Sequence, residues 1–383
     1  MSLSVCVLAY NAKEKVERII RSVAPLNAEV VVGDTGSYDG THAAVQALGA
    51  TVVPLEWKQD FGAAQNDTVA RAQGDWVLWI NPGEELTAEH LDAVPGLLGR
   101  TDVLAYAVRM EHVARADRPD RVSVTWYPRL FRRLPEVQFA GRVHPQFSPP
   151  LEDLAARTGR SLSPCPLCIR HYAYESTLTP AKLRWGTRLL ALELQDRPGQ
   201  LHYLIEYGRN LLLLNDPQGH TVLAEAADVM LQSLDTPRPP TATASSLIEY
   251  LLTVSPEQSK SRVTPGQAAV LARRWFPDSP PLLWLLAQRA FQAGQYRDAA
   301  GLLERLLFLA QTESYDQSAG FDPSILGEPT VLNLATCYFH LGELDRAEPL
   351  FTRLLADPTH QAKAQLGLNL IRARREGRST DQK

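Results

Sequence analysis

Several short segments concentrate side chains that can do chemistry. Asp34-Thr35-Gly36-Ser37 closes an apolar run and would sit at the carboxyl end of a strand, where open α/β sheets take their ligands. A carboxylate there can accept an N–H from a bound molecule; equally, Asp34 can cap the following helix, in competition with Ser37, Asp39 and Thr41. Tyr10 and Asn11 end the first apolar run and would border the same crevice or simply begin a loop. Asp60 and Asn66 lie just before and inside a helical stretch, where they can face a ligand, or Asp60 caps that helix with Phe61 in the core. Asn81-Pro82-Gly83-Glu84-Glu85 offers two acids and an amide; hard cations such as Mg²⁺ and Mn²⁺ want such oxygens, but a surface turn would read the same way. Gly141-Arg142-Val143-His144-Pro145 pairs a guanidinium suited to phosphate with an imidazole that can take a proton, assist a metal or phosphate, or bond quietly to backbone. Glu136, Asp117 and Asp120 are further acids in range. Cys165-Pro166-Leu167-Cys168 with His171 is half of a zinc site without a second pair of ligands, and otherwise a reduced, partly buried pair.

The elements that must position these groups follow from hydrophobic period. Val5–Tyr10, Glu29–Asp34, Thr51–Leu55 and Trp76–Ile80 are β-branched or aromatic runs that predict strands. Lys13–Val23, with Val16, Ile19, Ile20 and Val23 at helical spacing, alternates with them, as do 41–48 and 61–72. Strand and helix alternating at this pace predict βαβ units and a mainly parallel sheet. Val103–Met110 and Val122–Tyr127 predict further strands, and Ser161–Ile169 is a proline-containing stretch. Beyond about residue 178 the pattern is helical, with amphipathic segments at 182–194 and 201–214 and a Pro-rich loop at 236–240.

An internal repeat follows. Ala287, Gly294 and Ala299 recur as Ala335, Gly342 and Ala347, offset by a helix-turn-helix unit plus an insertion at about 311–324. Small residues at a helix crossing and a glycine between helices suit close packing, and the units resemble tetratricopeptide repeats.

Composition narrows the classes. The chain has 383 residues, with 43 acidic against 39 basic side chains, a net charge of −4 that leaves no basic footprint for nucleic acid. No apolar segment approaches a membrane span, the N-terminus lacks a signal pattern, and four cysteines make no disulfide framework, so a cytoplasmic protein is expected.

Taken in order, Val5–Asn11, Val31–Thr41, Asp60–Asn66, Gly74–Leu86 and Phe139–His144 resemble family 2 glycosyltransferases of the GT-A fold, in a bacterial subgroup that carries C-terminal tetratricopeptide repeats. The resemblance implies a GT-A-like α/β domain over residues 1–175, its mainly parallel sheet sandwiched by helices, and an all-α repeat domain over 176–383. It implies transfer of a sugar from a nucleoside diphosphate sugar, with UDP the expected nucleotide, by an inverting displacement. Asp34 would then read the base, Tyr10 and Asn11 border it, Asp60, Asn66, Asn81 and Arg142 face the nucleotide sugar, and Glu84 and His144 serve in catalysis or at the metal. The repeats would hold a peptide or protein or mediate dimerisation. Three departures from the family pattern coincide. Gln65 stands where an arginine is common, Asn81 and Gly83 occupy the two aspartate positions of the Asp-X-Asp motif that holds Mg²⁺ or Mn²⁺, and Pro145 replaces a glutamate base. Metal binding of the usual kind is therefore not expected, and a rival reading is a catalytically degraded transferase fold acting as a scaffold.

Overall fold

The computed structural model describes residues 1–113, 116–117, 122–173, 179–316 and 320–380; Asp120 and part of the 311–324 insertion lie outside them. The chain divides into two compact units, Met1–Asp216 and Pro217–Lys383.

The first unit opens with alternating elements: β1 (Leu3–Ala9), α1 (Lys13–Val23), β2 (Glu29–Asp34), α2 (Thr41–Ala47), β3 (Thr51–Pro54), α3 (Phe61–Val69) and β4 (Trp76–Trp79). It continues with β5 (Glu84–Leu86), α4 (Val94–Gly99), β6 (Val103–Val113), β7 (Val122–Arg132), β8 (Phe139–Ala140), β9 (Gln146–Phe147), α5 (Leu151–Thr158), β10 (Ser161–Tyr172), α6 (Pro180–Asp196) and α7 (Leu201–Leu213). Eight strands form one sheet in the order β3-β2-β1-β4-β7-β6-β10-β5, and β8 pairs with β9 separately. Within the large sheet only β7 and β5 run against the others, so the expected mainly parallel sheet is what the chain forms.

Both faces of this sheet are covered, which is why its central strands read as unbroken apolar runs. Val5, Val7, Trp76, Leu78 and Ile80 point to one face and pack with Val16, Ile19 and Ile20 of α1. Cys6, Val31, Val77 and Trp79 point to the other and pack with Leu151 and Leu154 of α5.

Two segments whose form the sequence leaves open are strands. Ser161–Ile169 belongs to a long strand despite Pro164 and Pro166. The register of β10 against β6 breaks between Pro164 and Cys168, and β5 covers β10 only at Ile169–His171, so the prolines occupy an irregular edge where no ladder N–H is needed. Glu84 and Glu85 open β5, antiparallel to β10.

The boundary expected at residue 175 also differs from the compact units, because α6 and α7 stay with the sheet. Leu189, Leu190 and Tyr203 share an apolar cluster with Val143, against which Phe61 packs. The Tyr203 hydroxyl donates to the Ala140 carbonyl at 2.9 Å. Gly141 makes this approach possible, since it has φ +121° and a Cβ there would lie 2.0 Å from the Tyr203 oxygen.

The second unit is helical: α8 (Gln218–Leu231), α9 (Ala244–Thr253), α10 (Pro256–Ser259), α11 (Pro265–Trp275), α12 (Pro280–Gln292), α13 (Tyr296–Thr312), α14 (Glu328–Leu341), α15 (Leu344–Leu354) and α16 (Gln361–Thr380). The repeat read from the sequence corresponds to α12–α13 and α14–α15. Ala287, Ala299, Ala335 and Ala347 are buried, and Gly294 and Gly342 take positive φ at the turns.

Candidate active site

Strand order changes direction between β1 and β4, and the carboxyl ends of strands at such a switch point are where open α/β sheets take their ligands. On its β1–β2 side, the ends of the strands are laced together. The Asn11 N–H donates to Ser37 Oγ at 2.9 Å, and the Tyr38 N–H donates to Asn11 Oδ1 at 2.9 Å. Asp34 is buried, 4% exposed, and its Oδ1 accepts from the N–H groups of Gly36 and Ser37 at 3.2 and 2.9 Å. Asp34 therefore shapes its own turn and does not cap α2, whose N-cap position is Gly40; Asp39 Oδ1 accepts from the N–H of Thr41, the first residue of α2. The second oxygen, Oδ2, looks toward His42 Nδ1 at 3.7 Å. Tyr10 and Tyr38, 58% and 82% exposed, stand edge to face above this lacing with ring centroids 6.3 Å apart.

On the β4 side, the residues where the resemblance would place a metal are bound to one another. Glu84 is buried; its Oε2 accepts from the Asn81 N–H at 2.7 Å, and its Oε1 accepts from Asn81 Nδ2 at 3.1 Å and from the Arg129 guanidinium at 3.0 Å. Asn81 Oδ1 accepts from Trp79 Nε1 at 2.8 Å. Glu85 is engaged too, accepting from the Tyr172 hydroxyl and lying 3.6 Å from Arg18. These contacts, with Gly83 contributing no side chain, do not fit a divalent cation, which needs anionic oxygens free to turn toward it. Among the described residues no group of three or more His, Cys, Asp or Glu could hold a metal ion. Cys165 and Cys168 are buried free thiols, and burial pushes both up to about 11.

Behind Glu84 lies a polar pair of imidazoles. His112 Nδ1 meets His171 Nδ1 at 3.1 Å, and His112 Nε2 meets Thr125 Oγ1 at 2.6 Å. Burial, reinforced by His171, holds the His112 imidazole below its usual value.

Asp60, Asn66 and Arg142 gather elsewhere, around a pocket of about 300 Å³ shared with Glu193, Asp196 and Arg197. Asp60 caps α3, its Oδ1 accepting from the Ala63 N–H at 2.9 Å. Asn66 is tied on both ends to Phe139, donating to its carbonyl and accepting from its N–H, each at 2.8 Å. Arg142 donates from Nε to Asp196 Oδ2 at 2.7 Å. Beside Asp60, Phe61 meets Trp57 and Trp185, whose rings stack 6.2 Å apart. His144 is exposed with φ 47°, and its backbone hydrogen-bonds His202 on α7.

The sequence-predicted residues thus form three groups: Tyr10, Asn11 and Asp34; Asn81 and Glu84; and Asp60, Asn66 and Arg142 with His144 on the adjoining loop. Sequence reasoning missed Arg129, His112, Glu193, Asp196 and the tryptophans. Pro128 inside an apolar run was a usable signal for Arg129, since proline in a central strand marks a bulge. Asp196 and Trp185 were hidden because α6 reads as part of a separate helical domain.

Residues 4–145 match the family model described as Glycosyl transferase family 2. A TPR repeat-containing protein of Synechococcus elongatus is 32% identical over 176 residues, 45% of this chain and 42% of that one. An uncharacterized glycosyltransferase of Rickettsia conorii is 31% identical over 123 residues, 31% of this chain and 43% of that one, so the chain spans less than half the length of these relatives. A crystal structure of S. aureus TarS matches with a TM-score of 0.38 and 16% identity over 65% of this chain and 51% of that one. The segment from residue 4 to residue 145, which supplies the ends of β1 and β4 and the residues flanking them, is the part of the chain that matches the glycosyl transferase family 2 model.

Proposed function

We propose that the N-terminal unit transfers a sugar from a UDP-sugar to a hydroxyl-bearing acceptor. The observation that carries this reading is the switch point between β1 and β4 in a segment matching the family 2 model, with buried Asp34 and two exposed tyrosines beside it. Uracil stacks against Tyr10 or Tyr38 and gives its imide N–H to Asp34 Oδ2, the oxygen that the loop backbone leaves unused. The diphosphate then runs toward the Asn81–Glu84 turn.

The acceptor enters the pocket of Asp60, Asn66, Arg142 and Asp196. Three acids against two arginines there favour a neutral, hydroxyl-rich molecule over a second phosphate, and Trp185, 44% exposed, offers a stacking face. His144 takes the acceptor proton as the acceptor oxygen bonds to the anomeric carbon; the bond from that carbon to the phosphate oxygen breaks and UDP leaves. The α-helical hairpins of the second unit hold a peptide or protein partner.

A second reading is a binding module without turnover, and it is favoured by one observation, the mutual engagement of Asn81, Glu84 and Arg129. The experiment is time-dependent UDP release from a panel of UDP-sugars. Release that disappears in His144→Ala supports the transferase. UDP binding with no release from any donor favours the binding module.

A further inference from the structure

We propose that Arg129 supplies the positive charge that faces the donor diphosphate, and that nucleotide binding by this chain is independent of divalent metal. The inference rests on the nucleotide-sugar reading above and deepens it.

The argument starts from how Arg129 reaches its position. In the pairing of β6 with β7, Tyr106 faces Leu130 and Ala107 faces Pro128, so Arg129 is the extra residue of a β-bulge. A bulge re-aims the side chain it carries, and the adjacent Pro128 is tolerated in a central strand because the ladder is already broken there. Pairing of β4 with β7 stops at Leu78 and Leu130, one residue before β4 ends at Trp79 and the chain turns into Asn81. The bulge therefore sends a guanidinium to the carboxyl end of β4, beside the crevice.

There it displaces the metal chemistry of the family. Its terminal nitrogen donates to Glu84 Oε1 at 3.0 Å, on an acid that could have served a cation in place of the missing aspartates. Its Nε is buried, and no hydrogen-bond partner for it exists among the described residues. The side chain is only 18% exposed, so that N–H has lost water without gaining an acceptor. A guanidinium presents five N–H groups in a fork that matches phosphate oxygens, and one to Glu84 leaves the rest for a ligand. A buried donor without an acceptor is costly on its own, and a phosphate oxygen in the crevice relieves that cost. Glu84 then holds Arg129 in place while partly opposing its charge.

The test is calorimetric titration of the full chain with UDP in excess EDTA and again with millimolar Mn²⁺. The expected result is the same affinity within about threefold in both conditions. Arg129→Gln is expected to weaken UDP at least about tenfold, and Glu84→Gln, which removes the opposing charge, to leave it equal or tighter. Were Glu84 a metal ligand, Glu84→Gln would weaken binding and erase any response to Mn²⁺. Binding that appears only with Mn²⁺ overturns this inference and leaves the transferase reading standing, as does an Arg129→Gln variant that folds and binds like the parent. No UDP binding in either condition defeats the nucleotide-sugar reading itself. The comparison of EDTA with Mn²⁺ on the parent chain needs no variant to fold.

Discussion

At the scale of single residues, Asp34 carries two duties that substitution can separate. Its Oδ1 holds the turn through Gly36 and Ser37, and its Oδ2 is left for the base. Asp34→Ala removes the acceptor of two loop N–H groups and is expected to cost about 1–2 kcal/mol of stability along with nucleotide binding. Asp34→Asn retains an acceptor for the turn, so it should lose UDP affinity at least about tenfold with little change in melting temperature. Titration and thermal unfolding of the two variants check this pair of outcomes. His112 gives a pH signature. Its folded imidazole sits below the usual 6.5 because burial and His171 oppose its charge. The unfolded chain then binds more protons in that range, so its contribution to stability is full above about 6.5 and lost as pH falls toward the depressed folded value. Urea midpoints of the parent are expected to drop from pH 7.5 to pH 5.5, as order-of-magnitude choices spanning about one unit either side of the ordinary imidazole value, and less steeply in His112→Asn.

At the scale of elements, the loop between β8 and β9 is held by close contact with α7. Gly141 has both a positive φ and the Tyr203 hydroxyl where a Cβ would go. Gly141→Ala is therefore expected to destabilise the chain by at least about 2 kcal/mol, read as a fall in melting temperature, whereas Tyr203→Phe loses only one hydrogen bond, about 1 kcal/mol. The alternating half of this unit was legible in the sequence because burial on both sheet faces leaves unbroken apolar runs such as Val5–Ala9 and Trp76–Ile80. The later strands were legible only in part. The reading of β7 stopped at Tyr127, because Pro128 looks like a strand end when it is the start of a bulge. Pro164 and Pro166 hid β10 in the same way, since proline marks both loops and irregular edges. For the site, residue types at strand ends were readable, while pairings such as Glu84 with Arg129, made across strands distant in sequence, were not.

At the scale of the whole molecule, α6 and α7 belong to the compact unit Met1–Asp216 and not to the helical region after it. They cover Val143 and Phe61 and provide Glu193 and Asp196 for Arg142. A chain ending at Asp216 is expected to unfold cooperatively on its own, whereas one ending at residue 175 exposes that apolar cluster and should aggregate or melt without a transition; thermal denaturation of both checks this. The repeats were recognisable from paired alanines and glycines, but a repeat pattern cannot say which neighbouring helices join another core, and so the boundary moved. The central claim is that a nucleoside diphosphate occupies the crevice between β1 and β4. Hydrogen–deuterium exchange of the full chain with and without UDP tests it most directly. The account predicts protection of the amides at Asn11, at Gly36–Tyr38 and at Asn81–Glu84. Protection confined to the pocket of Asp60, Asn66 and Arg142, or no protection under saturating UDP, would contradict it.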